Sequence, residues 1–117
     1  MINARAAKLL WDAQEAARSI VEFTAGRQEA DYAASKLLRS AVERQFEIIG
    51  VALAVLRRQF PDVAARMPDL AKIIGFRNIL VHEYEEIRTD AVWRTVQVDL
   101  PALLTVLNQL LAEAEPP

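Results

Sequence analysis

From Glu29 to Phe60 the residues Tyr32, Leu37, Leu38, Ala41, Val42, Phe46, Ile49, Leu53 and Leu56 recur at the three-to-four spacing of one helical face. A stripe sustained over about thirty residues cannot be a strand, because strands alternate with a period of two and run to about six residues. One long amphipathic helix buries its stripe by packing on other helices, so this stretch commits the chain to a helical layer architecture. Gly50 lies inside it at a cost of about 1 kcal/mol relative to alanine. Its presence there predicts close approach of another helix or a slight bend. Pro61 ends the run.

The flanking sequence reads the same way. A first helix starts near Asn3, a residue that can cap it, and carries Ala6, Leu9, Leu10, Ala13, Ala17, Ile20 and Phe23 (or its neighbour Thr24) on one face. Gly26 is suited to stop it in the left-handed conformation. "PDVAARMPD" is a connector with one short turn of helix, and Pro68 suits the first turn of a third long helix ending near Tyr84 to Ile87. Thr89 or Asp90 caps a fourth, with Ala91, Val92, Trp93 and Val96. Pro101 removes a backbone donor, which predicts a kink or break with Asp99 recapping before the stripe resumes at Leu103, Leu104, Leu107 and Leu111. With only three glycines and five prolines in 117 residues, the expected fold is all-α. It is an up-and-down bundle of four long helices plus short helical pieces, the last helix kinked or broken near Pro101, in a single domain over residues 1–117.

Composition narrows the chemistry. There are no cysteines, which removes disulfides, thiol catalysis and Cys-ligated zinc. Fourteen basic and sixteen acidic residues are interspersed to a net charge of −2, so any nucleic-acid contact must be local, at a cleft set by a few arginines. Asp12, Gln14 and Glu15 interrupt the N-terminal apolar residues, and no apolar run approaches the roughly 18 residues of a membrane span. The expectation is a soluble, cytoplasmic protein with no membrane contact. Eight aromatic residues are scattered without an evident base-stacking platform.

One polar cluster interrupts the third helix: "GFRNILVHEY", which holds the only histidine of the chain. At about 100° per residue, Leu70, Ile73, Ile74, Arg77, Leu80, Val81 and Tyr84 share a stripe, and Ala71, Gly75, Asn78, His82 and Glu85 lie beside it. The first members of the second stripe are small, leaving room for another helix or another subunit. Glu83, Glu86 and Lys72 occupy the remaining, solvated face. An arginine on an apolar stripe needs a partner or a wet cleft. In one reading Arg77 pairs with Glu43 or Glu47, while Asn78 and His82 bond between helices. In the other, His82 is a general acid and base, Arg77 holds a phosphate and stabilises transition-state charge, and Asn78 orients the reacting group. That set suffices to cleave RNA through its own 2′-OH with neither metal nor cofactor. Arg77 and His82 project about 140° apart, so two copies facing each other across a dimer axis would converge better than one.

"RNILVHEY" resembles the R-N-x-x-x-H-x-Y signature of HepT-like proteins in the HEPN superfamily of small helical RNases. "RQFEIIG", "FPDV", "KIIGFRNILVHEY", "VW" and "VDLPALL" resemble further landmarks of that family in the same order, from about Ser40 to Leu104. The resemblance implies a helical homodimer with both motifs facing a shared cleft, and the toxin half of a toxin–antitoxin pair. It implies metal-independent RNA cleavage by Arg77 and His82, with Asn78 as the supporting polar residue. It also implies a partner nucleotidyltransferase of the MntA type, which silences the toxin by attaching AMP to Tyr84. Two positions depart from the family: Val51 stands where a glutamate is common, and Asp69 where an aromatic residue often follows the proline. Two other readings stand beside the ribonuclease: a non-catalytic partner subunit of a minimal nucleotidyltransferase, and a plain structural bundle with a satisfied polar pair.

Overall fold

The computed structural model describes residues 2–82 and 89–114, with the backbone alone at 77–79, 81 and 82. Its elements are α1 (Ala4–Thr24), α2 (Glu29–Ala34), α3 (Lys36–Gln59), α4 (Pro61–Ala64), α5 (Leu70–His82), α6 (Thr89–Arg94), a π-helical turn (Thr95–Asp99) and α7 (Leu100–Ala112). The fold is all-α. The first helix begins where expected: Asn3 Oδ1 accepts the Arg5 N–H at 2.7 Å, satisfying one of the unpaired donors of the helix start. It ends before Gly26, which sits at φ +72°. Its buried stripe closes on Thr24 rather than Phe23, because the Thr24 hydroxyl donates to the Ile20 carbonyl (2.7 Å) and so can be buried, whereas Phe23 is exposed.

The single helix expected from Glu29 to Phe60 is two. Ser35 adopts extended backbone (φ −111°, ψ 104°), and its hydroxyl accepts the Leu38 N–H at 3.1 Å, ending α2 and capping α3. Serine competes with helical hydrogen bonding in this way, and apolar spacing alone does not register it. The break also explains why Leu38 is buried while Leu37, next to it, is 83% exposed. Ser35→Ala should cost about 1 kcal/mol, seen as a fall of roughly 4 °C in melting temperature. An unchanged melting temperature would show that the cap contributes nothing.

Pro68 precedes the third long helix instead of opening it. Asp69 takes a left-handed conformation (φ 60°), and its carbonyl accepts the Ile73 N–H (3.1 Å), so α5 starts at Leu70. Near Pro101 the last helix is disturbed as expected, by a π-helical turn rather than a break. The Leu100 N–H bonds to the Thr95 carbonyl five residues back, and this wider turn lies just where the proline ring would crowd the preceding turn and its missing N–H would leave a carbonyl unpaired. Asp99 makes no capping bond there; it accepts from Lys72 Nζ of α5 at 3.3 Å.

α1 packs on α3 and on α7, and α3 also packs on α5, giving the spatial order α7–α1–α3–α5. Leu10, Ile20, Ile49, Leu53, Leu56 and Leu107 are fully buried in the shared core. Gln14 is buried with them because its amide donates to Asn108 Oδ1 across the α1–α7 contact. At one end the Tyr32 ring of α2 lies against Trp93 of α6, centroids 5.7 Å apart. At the other, Arg66 pairs with both carboxylate oxygens of Glu113. Taken whole, Thr89–Ala112 is a 24-residue helix long and apolar enough to cross a membrane, unlike the sequence expectation. Val92, Val96, Leu100, Leu103, Leu107 and Leu110 on it are buried, so one face of it packs in the bundle core.

Candidate active site

α5 carries the polar motif, and apolar contacts fix it against α3. Leu70 is buried, and Ile73, Ile74, Phe76 and Leu80 pack against the core. Phe76, the residue before Arg77, meets Phe46 of α3 edge to face, with ring centroids 5.0 Å apart and planes at 79°. The backbone of the motif from Arg77 to His82 is therefore held on a packed helix. Arg77, Asn78 and His82 all lie within α5; their side chains, and Tyr84 with the rest of residues 83–88, lie outside the described residues. On this backbone Arg77 and His82 are about 7.5 Å apart along the axis and about 140° apart around it.

On the small second stripe Ala71 is exposed, and among the described residues no heavy atom lies within 4 Å of where a Cβ on Gly75 would stand.

The two glutamates considered as partners for Arg77 have different surroundings. Glu47 lies 3.7 Å from Arg44 and lines a groove of about 490 Å³ between α1 and α3, together with the half-exposed Val51. Glu43 lies closer to the core. Burial pushes its carboxyl above the usual range, with Arg39 opposing the shift. Burial also raises the phenol of Tyr32, and the Glu43 carboxylate beside it adds to that. An acid whose pKa is raised on folding holds its proton more tightly in the folded state, so its contribution to stability falls as pH rises through the ordinary carboxylate value of about 4.3. Glu43→Gln should therefore raise the melting temperature at pH 7, and the gain should vanish below about pH 4. A variant less stable than wild type at pH 7 would contradict this.

One feature had no signal in the sequence. α5 packs extensively on α3, but among the described residues no comparable packing joins it to α7. The resulting seam is a cleft of about 410 Å³, floored by Phe46 and Ile49 and walled by Ile73 and Phe76 on one side and Leu103 and Val106 on the other. Asp69, Lys72, Thr95 and Asp99 form its polar edge. These residues come from α3, from α5 and the residue before it, and from the π-helical turn and α7, and only their assembly creates the space. Among the described residues no three His, Asp or Glu side chains group as metal ligands.

A family model described as ribonuclease HepT-like matches residues 13–110, a span that includes the whole motif. "Putative RNase MJ1380" of Methanocaldococcus jannaschii is 33% identical over 94 residues, covering 80% of this chain and 85% of the relative. "Probable ribonuclease HepT" of Thermococcus cleftensis is 32% identical over 94 residues, covering 80% of this chain and 84% of that one. No solved structure matches the chain.

Proposed function

This chain belongs to the HepT-like ribonuclease family, and from that premise we propose that it is a toxin endoribonuclease, a single-domain cytoplasmic protein acting as a homodimer. The observation that carries the proposal is the family match across residues 13–110, which takes in Arg77, Asn78, His82 and Tyr84. The small, exposed Ala71 on α5 supports a second copy seated along the motif helix. Pairing two copies there would let the Arg77 of one and the His82 of the other address one phosphate, which the angular separation within a single helix disfavours.

The chemistry needs no metal. His82 takes the proton from a ribose 2′-OH, and the oxygen attacks the adjacent phosphorus. The bond to the 5′-oxygen breaks, leaving a 2′,3′-cyclic phosphate, and the leaving oxygen receives a proton from the imidazolium. Arg77 stabilises the charge on the non-bridging oxygens, and Asn78 orients the reacting groups. The partner is a nucleotidyltransferase of the MntA type that attaches AMP to Tyr84. The adduct places bulk and negative charge where the RNA phosphate would sit, and so silences the toxin.

Purified protein incubated with RNA in a chelator should give fragments ending in 2′,3′-cyclic phosphate. Products with 3′-hydroxyl ends, or cleavage that depends on added divalent ions, would overturn the mechanism. Absence of cleavage with retained binding to the transferase would instead identify a non-catalytic partner subunit. Peptide mass spectrometry after incubation with the transferase and ATP should find AMP on Tyr84. An unmodified Tyr84 in a pair that still neutralises the toxin would remove that part of the proposal.

A further inference from the structure

We propose that the cleft between α5 and α7 is a subsite for one unpaired nucleobase of the RNA, selective for bases that carry an exocyclic amino group and best suited to guanine. The inference rests on the ribonuclease reading for its ligand class, and on the cleft itself for everything else. Its volume of about 410 Å³ falls within the range of small-molecule sites. Phe46 and Phe76 are thirty residues apart in sequence, yet meet edge to face where floor and wall of the cleft join. Above the buried Phe46 and Leu103, the partly exposed Ile73, Phe76 and Val106 present the kind of apolar surface on which an unstacked base sheds water.

The polar edge sets the selectivity. Asp69 and Asp99 offer carboxylates, which only accept hydrogen bonds, and Lys72 spans the seam to Asp99 at 3.3 Å. Two carboxylates against one ammonium disfavour a phosphate at this edge and favour donors on a base. Guanine presents an N–H and an amino group side by side, matching the two oxygens of one carboxylate. Adenine and cytosine present an amino group beside an acceptor. Uracil presents one N–H between two carbonyls, which a carboxylate repels.

Position ties the cleft to the motif. Gly75 and Phe76 line it, and Arg77 follows, about 3 Å beyond Gly75 along the helix axis. A base seated here therefore belongs to a nucleotide adjacent to the phosphate assigned to Arg77. Gly75 also provides a probe that spares the fold. Among the described residues a Cβ there meets no atom within 4 Å, and glycine is the poorest helix former after proline, so Gly75→Leu adds bulk at the rim of the cleft while favouring α5.

The test compares binding of 2′-O-methyl oligoguanosine and oligouridine, whose blocked 2′-oxygen prevents cleavage, by fluorescence anisotropy. The wild type should prefer the guanosine oligomer by about tenfold or more. Gly75→Leu should lose that preference while melting no lower than wild type. Asp69→Asn combined with Asp99→Asn should also lose it, and asparagine tolerates the left-handed backbone at position 69. Equal affinity of the wild type for the two oligomers, or a Gly75→Leu variant that keeps the preference, would overturn the subsite. So would a Gly75→Leu variant that only shifts the monomer–dimer balance in light scattering, since the cleft would then belong to the contact between copies. Cleavage of a mixed-sequence RNA, measured in parallel, separates the two claims. Cutting without base preference leaves the ribonuclease and removes the subsite; base preference without cutting does the reverse.

Discussion

His82→Ala should lower the rate of RNA cleavage by about 10²- to 10⁴-fold, the usual contribution of a positioned general acid and base. Arg77→Ala should produce a loss of similar order, because an unneutralised phosphate transition state is left behind. Melting temperatures measured alongside distinguish lost chemistry from lost fold. The composite arrangement makes a stronger demand. When the two inactive variants are mixed and allowed to exchange subunits, hybrid dimers bring together one intact Arg77 and one intact His82 from different copies, and cleavage should partly return. If each active site were built within a single copy, mixing would restore nothing.

The second large effect concerns the bundle. Leu107 of α7 is fully buried, in the contact with α1 where Asn108 accepts the bond from Gln14. Leu107→Ala removes packed carbons from a core that collapses only in part, and should cost about 2–5 kcal/mol. Against a typical domain stability of about 5–15 kcal/mol this is a large fraction, and chemical denaturation would show it as a clear drop in midpoint. Leu37→Ala serves as the comparison: that side chain is 83% exposed, and its loss should stay within about 0.5 kcal/mol. Similar losses at the two positions would mean that the assigned core is wrong.

Much of this architecture was legible in the sequence because burial and helical periodicity are coupled. The stripe Leu10, Ala13, Ala17 and Ile20 in α1, and Phe46, Ile49, Leu53 and Leu56 in α3, are buried where their spacing places them. Asn3 and Gly26 mark the ends of α1 for local reasons that need no tertiary information. The failures arose where one side chain or backbone angle overrides the pattern. Ser35 divides a helix through a hydrogen bond to Leu38, and Asp69 rather than Pro68 sets the start of α5 through a left-handed backbone. At Pro101, by contrast, the expected disturbance of the last helix is present, and it takes the form of a π-helical turn.

The candidate site was legible differently. The R-N-x-x-x-H-x-Y spacing identified the family, and the family match bears that identification out. The face of α5 beside Arg77 carries small residues, and among the described residues nothing crowds it at Ala71 or Gly75. The seam between α5 and α7 was not legible. It depends on how far α5 stands from α7 once both have packed elsewhere, which no local pattern encodes.

Growth of cells expressing the protein without its partner tests the central claim most directly, with wild type and His82→Ala produced at equal levels. The account predicts that wild type arrests growth and that His82→Ala relieves the arrest. Equal arrest by the two proteins would contradict it, because the toxicity would then not depend on the residue assigned to the chemistry.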